Sequence, residues 1–596
     1  MLTRSKARNS KTGTRGQVST PTFLVAPVEG LYVGAPLAEA PPKTAFILDN
    51  AFPNLDFVRV RGGTQTWASG LSGGVVDSIL TWTDGSTHRM FGCVNGSIYD
   101  ASSPGPVGAS VVSGLTPAKV ESVQFTGTGG QFLIAVNGYD PAQLFDGTSW
   151  NPTISFTATV SAGLPTLSAV SSFTGLVNGQ ALSGPGIPDG ATISSMNVGA
   201  GTITMSANAS AGFTTAAITA SILPPISGLT GNQLAQIWVY KNRIYGVERG
   251  SLNAWYLGLD SIGGQATKFP LTSVFTRGGY LLCGGTWALP TINGLFEACV
   301  FVSSEGEVAV YTGLYPGSTD WAKQGIYKIS KPLGRRCLLN TGGDLLILTE
   351  DGIVPMSKVE TLDQQALQNV ALTQKIMPAW IKAVNQRTGL DGWQAIIWPL
   401  NSMAIVNLPH SGPEDKTQFV ANSRTGAWGR YLGWDANCFA LFDNQLFYGS
   451  SDGRIMQAEV GATDDGRPYT ATIFPSFTHL ESFGVRKQIK LIKTQLQANF
   501  YGAVQVTTRV DYDPSIPAPP SATISTAVGV ARWGFARWGI DVWPALLFDL
   551  SFWTSPAGLG EVISPVLQIT LDYAGLQPDF RLTGFQVIYE TGSAIG

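Results

Sequence analysis

Residues 298–313 read ACVFVSSEGEVAVYTG. An apolar run ends in Ser303-Ser304-Glu305-Gly306, and a second, Val308 to Tyr311, leads away from it. Two β-branched and aromatic runs joined by a short glycine-bearing turn predict a β-hairpin. The pattern recurs as RMFGCVNGSIYDA at 89–101, QFLIAVNGYDPAQLFDG at 131–147, IWVYKNRIYGV at 237–247, DLLILTEDGIVPMS at 344–357 and QLFYGSSDGRIMQAE at 445–459. A hairpin cannot bury its apolar face alone, so the copies must stack or close into a ring.

The first two turn centres lie roughly 42 residues apart, the length of a four-stranded propeller blade. The expected class is therefore all-β, with a β-propeller-like core of about six blades. Composition agrees: the 596 residues hold 70 glycines, 35 prolines and 16 tryptophans, and 13% are charged. That describes a turn-rich, aromatic-rich β protein, long enough for several cores. With 37 basic and 40 acidic residues, the chain lacks the basic excess of a dedicated nucleic-acid binder.

Along the chain, residues 1–22 read as a basic arm carrying Arg4, Lys6, Arg8, Lys11 and Arg15. No apolar core follows these residues, so an ordinary secretory signal is not expected. Nor does any run reach the length that spans a bilayer. Residues 23–152 are assigned to the first part of the propeller, where Arg59 and Arg61 alternate with Val58 and Val60 as on a half-exposed strand. Residues 153–222 change composition to Ser, Thr, Ala and Gly with almost no charge, and read as a small Ig-like β-sandwich inserted in a surface loop. Removing this stretch of about 70 residues restores blade spacing between the second and third hairpins.

Residues 223–460 form the second part of the propeller, with GGYLLCGGTWAL and GIYKISKPLGRRCLL as candidate outer strands. The one helical pattern lies at 362–387, where Leu362, Ala366, Leu367, Val370, Leu372, Ile376, Trp380, Ile381 and Val384 approximate an apolar face. Pro378 predicts a break just before it. Residues 461–596 carry long alternating strands such as VQVTTRVDY and LQITLDY, expected as a C-terminal β-sandwich or platform domain.

Catalytic patterns are sparse. Gly70-Leu71-Ser72-Gly73-Gly74 has the G-x-S-x-G spelling of a hydrolase elbow, but that chemistry needs a strand-to-helix turn and a histidine partner. The surroundings are turn-like and the histidines are only His88, His410 and His479. Asp84, Asp146, Glu305, Asp351 and Asp452 fall mostly at hairpin turns, where carboxylates bond the local backbone. Cys93, Cys283, Cys299, Cys337 and Cys438 lack ligand spacing and read as buried free thiols. No enzyme activity, metal or cofactor is expected. Trp533, Trp538 and Trp543, five residues apart in ARWGFARWGIDVW, are the candidate partner contact.

The stretch SSEGEVAVYTGLYPGSTDWAKQGIYKISKPLGRRCLLNTGGDLLILTEDGIVPMS at 303–357 resembles tail proteins of short-tailed bacteriophages. NGYDPAQLFDGTSW at 137–150, KNRIYGVERGSLNAWYL at 241–257 and the spaced tryptophans are similar to the same group. The family is the tail nozzle, also called tail tubular protein B or packaged-DNA stabilisation protein. The resemblance covers residues 23–150 and 226–596, and GPGIPDGATI in the insertion resembles small Ig-like modules of phage tails. It implies a virion protein made in the host cytoplasm, six copies of which form a ring below the portal and adaptor. That ring extends and closes the channel for double-stranded DNA, without sequence-specific contact, and anchors tail fibres. The family supplies no catalytic residues. A nearly neutral chain suits a conduit, because basic walls would hold phosphates. A ring also needs heterologous contacts that close by rotation. The alternative is a receptor- or carbohydrate-binding tail module, which predicts an exposed aromatic cluster.

Overall fold

The computed structural model describes residues 19–594, apart from 128–129, 175, 177, 222–225, 232, 292–293, 411, 413–415, 522–546 and 574–576. In the hairpin at 298–313, Cys299 pairs with Tyr311, Val300 with Val310, Phe301 with Ala309 and Val302 with Val308. Gly306 sits in the turn at φ +77°, where a Cβ would lie 2.4 Å from the Ile329 carbonyl oxygen. The backbone conformation and the close approach both call for glycine there. Glu307, fully buried, accepts hydrogen bonds from the Thr276 N–H at 2.9 Å, the Thr276 hydroxyl at 2.6 Å and the Arg277 N–H at 2.8 Å. Burial pushes its carboxyl up, but these bonds hold it below the ordinary glutamate range.

The hairpin is the middle of blade 4, which runs Leu281–Thr291, Gly294–Ser303, Glu307–Thr312 and Ala322–Lys328. Blade 1 comprises Val76–Asp84, Thr87–Val94 and Ser97–Asp100, and blade 2 Glu121–Gly127, Gly130–Val136 and Gln143–Phe145. Blade 3 comprises Leu234–Tyr240, Arg243–Glu248, Asn253–Tyr256 and Thr267–Pro270. Blade 5 holds Leu338–Asn340, Leu345–Thr349 and Gly352–Pro355. Blade 6 holds Gln394–Trp398, Met403–Asn407, Thr417–Asn422 and Trp428–Leu432. Blade 7 holds Cys438–Phe442, Gln445–Gly449 and Ile455–Ala458, and takes its outer strand, Thr64–Ser69, from the chain before blade 1.

The first strand of each blade touches the first strand of the next, and the first strand of blade 7 touches that of blade 1. The sheets therefore circle a common axis as an all-β propeller. The hairpin repeats mark blades 1 to 5 and 7. Blade 6 is the addition to these, because WQAIIWPLNSMAIVNL has no glycine turn to mark it. The stretch GGYLLCGGTWAL, a candidate outer strand by sequence, is instead the innermost strand of blade 4. Gly284 explains the placement: a Cβ there would lie 2.4 Å from the Trp238 ring of blade 3. Alternation of apolar residues does not distinguish the two ends of a blade, but crowding at the axis does.

One device joins inner strands across blades. The Gln124 side chain donates to the Thr83 carbonyl at 2.6 Å and accepts from the Thr83 N–H at 3.0 Å. Gln236 makes the same pair of bonds to Gly284, both at 3.0 Å. Gln394 makes it to Phe439, at 2.9 and 2.8 Å. A carboxamide matches the donor and acceptor of one peptide group, so each glutamine extends the ladder where the sheets diverge.

The helical segment is interrupted, as Pro378 requires. Gln364–Val370 ends, a short 3-10 turn spans Gln374–Ile376, and Met377–Gln386 follows with Pro378 in its first turn. These helices lie against the third strand of blade 5 and stand where a fourth strand would be. Trp380 is fully buried and donates to the Thr349 carbonyl at 3.1 Å, whereas Leu372, expected on the apolar face, is exposed.

The insertion leaves and rejoins the chain at one place, since Thr153 pairs with Ser221. Its six strands form one sheet whose edge strands, Leu182–Ser183 and Ile193–Asn197, are bridged at Ala181–Thr192. The small sandwich expected here is thus one sheet folded back on itself around Phe156, Leu167, Ile193, Ile203 and Ile218.

The chain divides into two compact units: residues 62–426 with 430–467, and residues 1–61 with 427–429 and 468–596. In the second unit, Arg581–Ala594 is flanked by Val485–Ala498 on one side and by Thr20–Val25 and Val58–Val60 on the other. Ala45–Asp49, Tyr469–Pro475, Ile563–Leu571 and Ala503–Val510 form the other run of strands. The part of the chain assigned on sequence to the start of the propeller, 23–152, therefore divides at Arg61. The Arg61 side chain is not half-exposed but fully buried, 4.0 Å from the Tyr469 ring centre, with Nε 2.8 Å from Asn50 Oδ1. A strand's period cannot reveal a partner hundreds of residues away.

Candidate functional site

The axis of the propeller is where side chains of opposite blades meet. Arg335 and Arg336 lie in the connection that enters blade 5, between Gly334 and the buried Cys337. Arg336 reaches across to blades 1 and 2. Its Nε donates to Glu121 Oε1 at 2.6 Å and its Nη1 to the Asp77 carbonyl at 3.1 Å. Its Nη2 donates to Ser78 Oγ at 2.9 Å and to the Val120 carbonyl at 3.1 Å. The side chain bolts one side of the ring to the other. Burial works against its charge, but the Glu121 carboxylate raises its affinity for the proton above the ordinary arginine value.

Asp77, beside this bolt, is pushed up to about 6 by burial, which the Ser78 hydrogen bond and the charges of Arg336 and Lys119 only partly offset. Its Oδ1 has no hydrogen-bond partner.

Arg335 and Arg336 line two cavities. One, of about 240 Å³, lies inside the ring among Leu80, Gln236, Leu338, Gln394 and Cys438. The other, of about 640 Å³, forms the mouth on the face where the chain enters the inner strands. Its walls carry Lys119, Arg249, Arg335 and Arg336 against Glu121 and Asp391, with Tyr139 and Tyr280 exposed on the rim. Lys119 pairs with Asp391 at 3.1 Å, and the Arg249 guanidinium lies 4.2 Å from the centre of the Tyr139 ring. Arg335 donates to the Ala235 carbonyl at 3.1 Å. Among the described residues its other N–H groups have no acceptor. A guanidinium in that state suits a planar anion.

The acids and histidines singled out by sequence do not converge into a reacting centre. Ser72 lies in a turn between two strands, Thr64–Ser69 and Val76–Asp84, rather than before a helix. His88 binds Asp443, His410 lies 3.1 Å from Asp435, and His479 stacks near Phe483. Structure does bring Glu305 and Asp351 to one surface hollow, with Lys331 and Glu350. Glu305 is paired with Lys331 at 2.8 Å and Asp351 with Ser330. Asp146 accepts from the N–H groups of Thr148 and Ser149, both at 2.8 Å, as a turn aspartate does. Among the described residues no three His, Cys, Asp or Glu side chains are grouped to hold a metal.

All five cysteines are free and buried, and Cys283 and Cys337 touch at 3.4 Å between blades 4 and 5. Trp533, Trp538 and Trp543 lie outside the described residues. Of the described tryptophans, Trp553 is the exposed one, at 45%. No described helix is long and apolar enough to cross a membrane. Sequence reasoning passed over the two arginines of the channel. The signal was their place, a charged pair set directly against the apolar start of an inner strand.

No protein-family model and no curated protein matches the chain. Among solved structures, it is similar to BBS1N crystallised in complex with ARL6DN, at 10% identity over 67% of this chain and 97% of that one, with a TM-score of 0.25. YCF48 from Cyanidioschyzon merolae aligns at 12% identity over 57% of this chain and 97% of that one, with a TM-score of 0.22. Superpositions this loose carry no argument about site or partner. The blade order and the closure of blade 7 on blade 1 stand on the chain's own pairings.

Proposed function

We propose that this chain is a structural subunit of a short-tailed phage tail, a nozzle protein that acts by assembly rather than by catalysis. The observation that carries the reading is the 303–357 stretch, whose resemblance to nozzle proteins falls on blades 4 and 5 and on the connection bearing Arg336. The bolt fits such a role. A propeller whose axis is crossed by a largely buried arginine threads nothing through itself. It serves as a rigid block, and a conduit is made by several copies standing around a common lumen. In this reading six subunits form the ring, portal or adaptor proteins sit on one side, fibres attach outside, and DNA passes without base-specific contact. The virion is then the place of action.

Cross-linking of purified particles followed by mass spectrometry tests it. Subunit-to-subunit links and links to neighbouring tail proteins are expected. A protein recovered only as a soluble monomer, absent from particles, overturns the assignment.

A further inference from the structure

We infer that the mouth of the propeller channel is a docking site for a carboxylate, carried on an acidic peptide segment of a partner chain. This does not depend on the tail assignment, because it rests on the mouth alone. The cavity of about 640 Å³ is of the size that holds a few side chains. Cations outnumber carboxylates on its walls, and two of them are already spent: Lys119 on Asp391 and Arg336 on Glu121. Arg249 donates to the Gly138 carbonyl at 2.8 Å and lies over the Tyr139 ring, which leaves Arg335 as the cation to receive an incoming anion. It is partly buried, lines the cavity and is held in place by its bond to the Ala235 carbonyl.

A carboxylate meets that fork with two parallel hydrogen bonds. Tyr139 and Tyr280, 49% and 38% exposed, offer rings and hydroxyls at the rim on which a peptide can lie. The geometry argues against the other common anion, a nucleic-acid backbone. A duplex is too wide to enter a cavity of about 640 Å³. An acidic side chain on an extended peptide segment is narrow enough to enter.

Trp393, buried beneath the cavity, provides a signal. The test titrates the full chain with acetylated, amidated hexaglutamate, following tryptophan fluorescence and heat, with a 12-base-pair DNA duplex and inorganic phosphate as separate arms. Saturable binding of the peptide is expected, weakened at least tenfold by Arg335→Ala and less by Arg335→Lys, which keeps the charge but loses the fork. Melting temperatures of the variants, measured alongside, show that each is folded. If Arg335→Ala unfolds, Arg335→Lys with a competing poly-lysine control decides the matter, and equal affinity in that variant counts against the fork. No binding by the wild-type chain, undiminished binding by Arg335→Ala in the folded state, or tighter binding of duplex or phosphate overturns the inference.

Discussion

The propeller ring closes seven sheets around an axis and the insertion at 153–222 folds one sheet back on itself, by opposite means. The ring closes over great sequence distance: Thr64–Ser69 pairs with Ile455–Ala458, and Arg336 spans the axis to residues more than two hundred positions earlier. The insertion closes locally, its ends paired at Thr153–Ser221 and its sheet edges bridged at Ala181–Thr192. Their interiors differ to match. The ring is held by aromatic contacts between blades, such as Trp238 against Phe301, and by buried polar bolts, whereas the insertion has an almost wholly aliphatic core. Long-range closure needs directional bonds to fix which sheet neighbours which; a short local sheet needs only a filled interior.

The largest expected effect breaks the ring at its bolt. Arg336→Ala leaves the largely buried Glu121, 20% exposed, without its partner and should destabilise the propeller by about 3–5 kcal/mol, read by urea unfolding. A change under 1 kcal/mol would mean that the charge pair is already solvated.

Ile203→Ala, at a fully buried position of the insertion, should remove about 2–5 kcal/mol from that region alone. Calorimetry should then show an early transition for the insertion, with the ring's transition unmoved. One merged, shifted transition would show that the two regions unfold together.

Asp77 makes the ring, but not the insertion, sensitive to pH. Its folded value is raised to about 6, so the folded chain takes up a proton that the unfolded chain has released. Stability contributed by this group is therefore present below its unfolded value near 4 and lost as pH rises through about 6. Asp77→Asn should stabilise the ring by up to about 3 kcal/mol at pH 8 and change little at pH 3.5. The insertion, with its uncharged core, should show no matching pH dependence. A stability difference between Asp77→Asn and wild type that is the same at both pH values would contradict the burial of this carboxyl.

The smallest effect concerns the glutamine clamps. Gln236→Leu leaves the N–H and carbonyl of Gly284 without partners and should cost about 1–3 kcal/mol, while Gln236→Glu should cost less at pH 4 than at pH 8. Equal stability of Gln236→Leu and wild type would show that water replaces the clamp.

Much of the fold was legible. The hairpins at 89–101, 131–147, 298–313, 344–357 and 445–459 each form the second and third strands of a blade. Residues 237–247 form a first and second strand instead, an ordinal that a hairpin pattern cannot reveal. Pro378 located the helix break because its ring forbids the preceding turn. Less of the site was legible. Arg336 in GRRC gives no sign of where its side chain ends, and Arg61 in VRVR alternates like a solvated residue while lying fully buried.

Local geometry is written in the order of residues: which runs are strands, where each turns, and where a differently composed segment interrupts the repeat. Period and turn chemistry act over a few residues, and those survive in a linear reading. Which strand faces the axis, that the strand before blade 1 completes blade 7, and that an arginine of blade 5 bridges the channel emerge in the folded chain alone. Those outcomes depend on crowding and hydrogen-bond partners brought together from distant parts of the chain, and no local pattern encodes them.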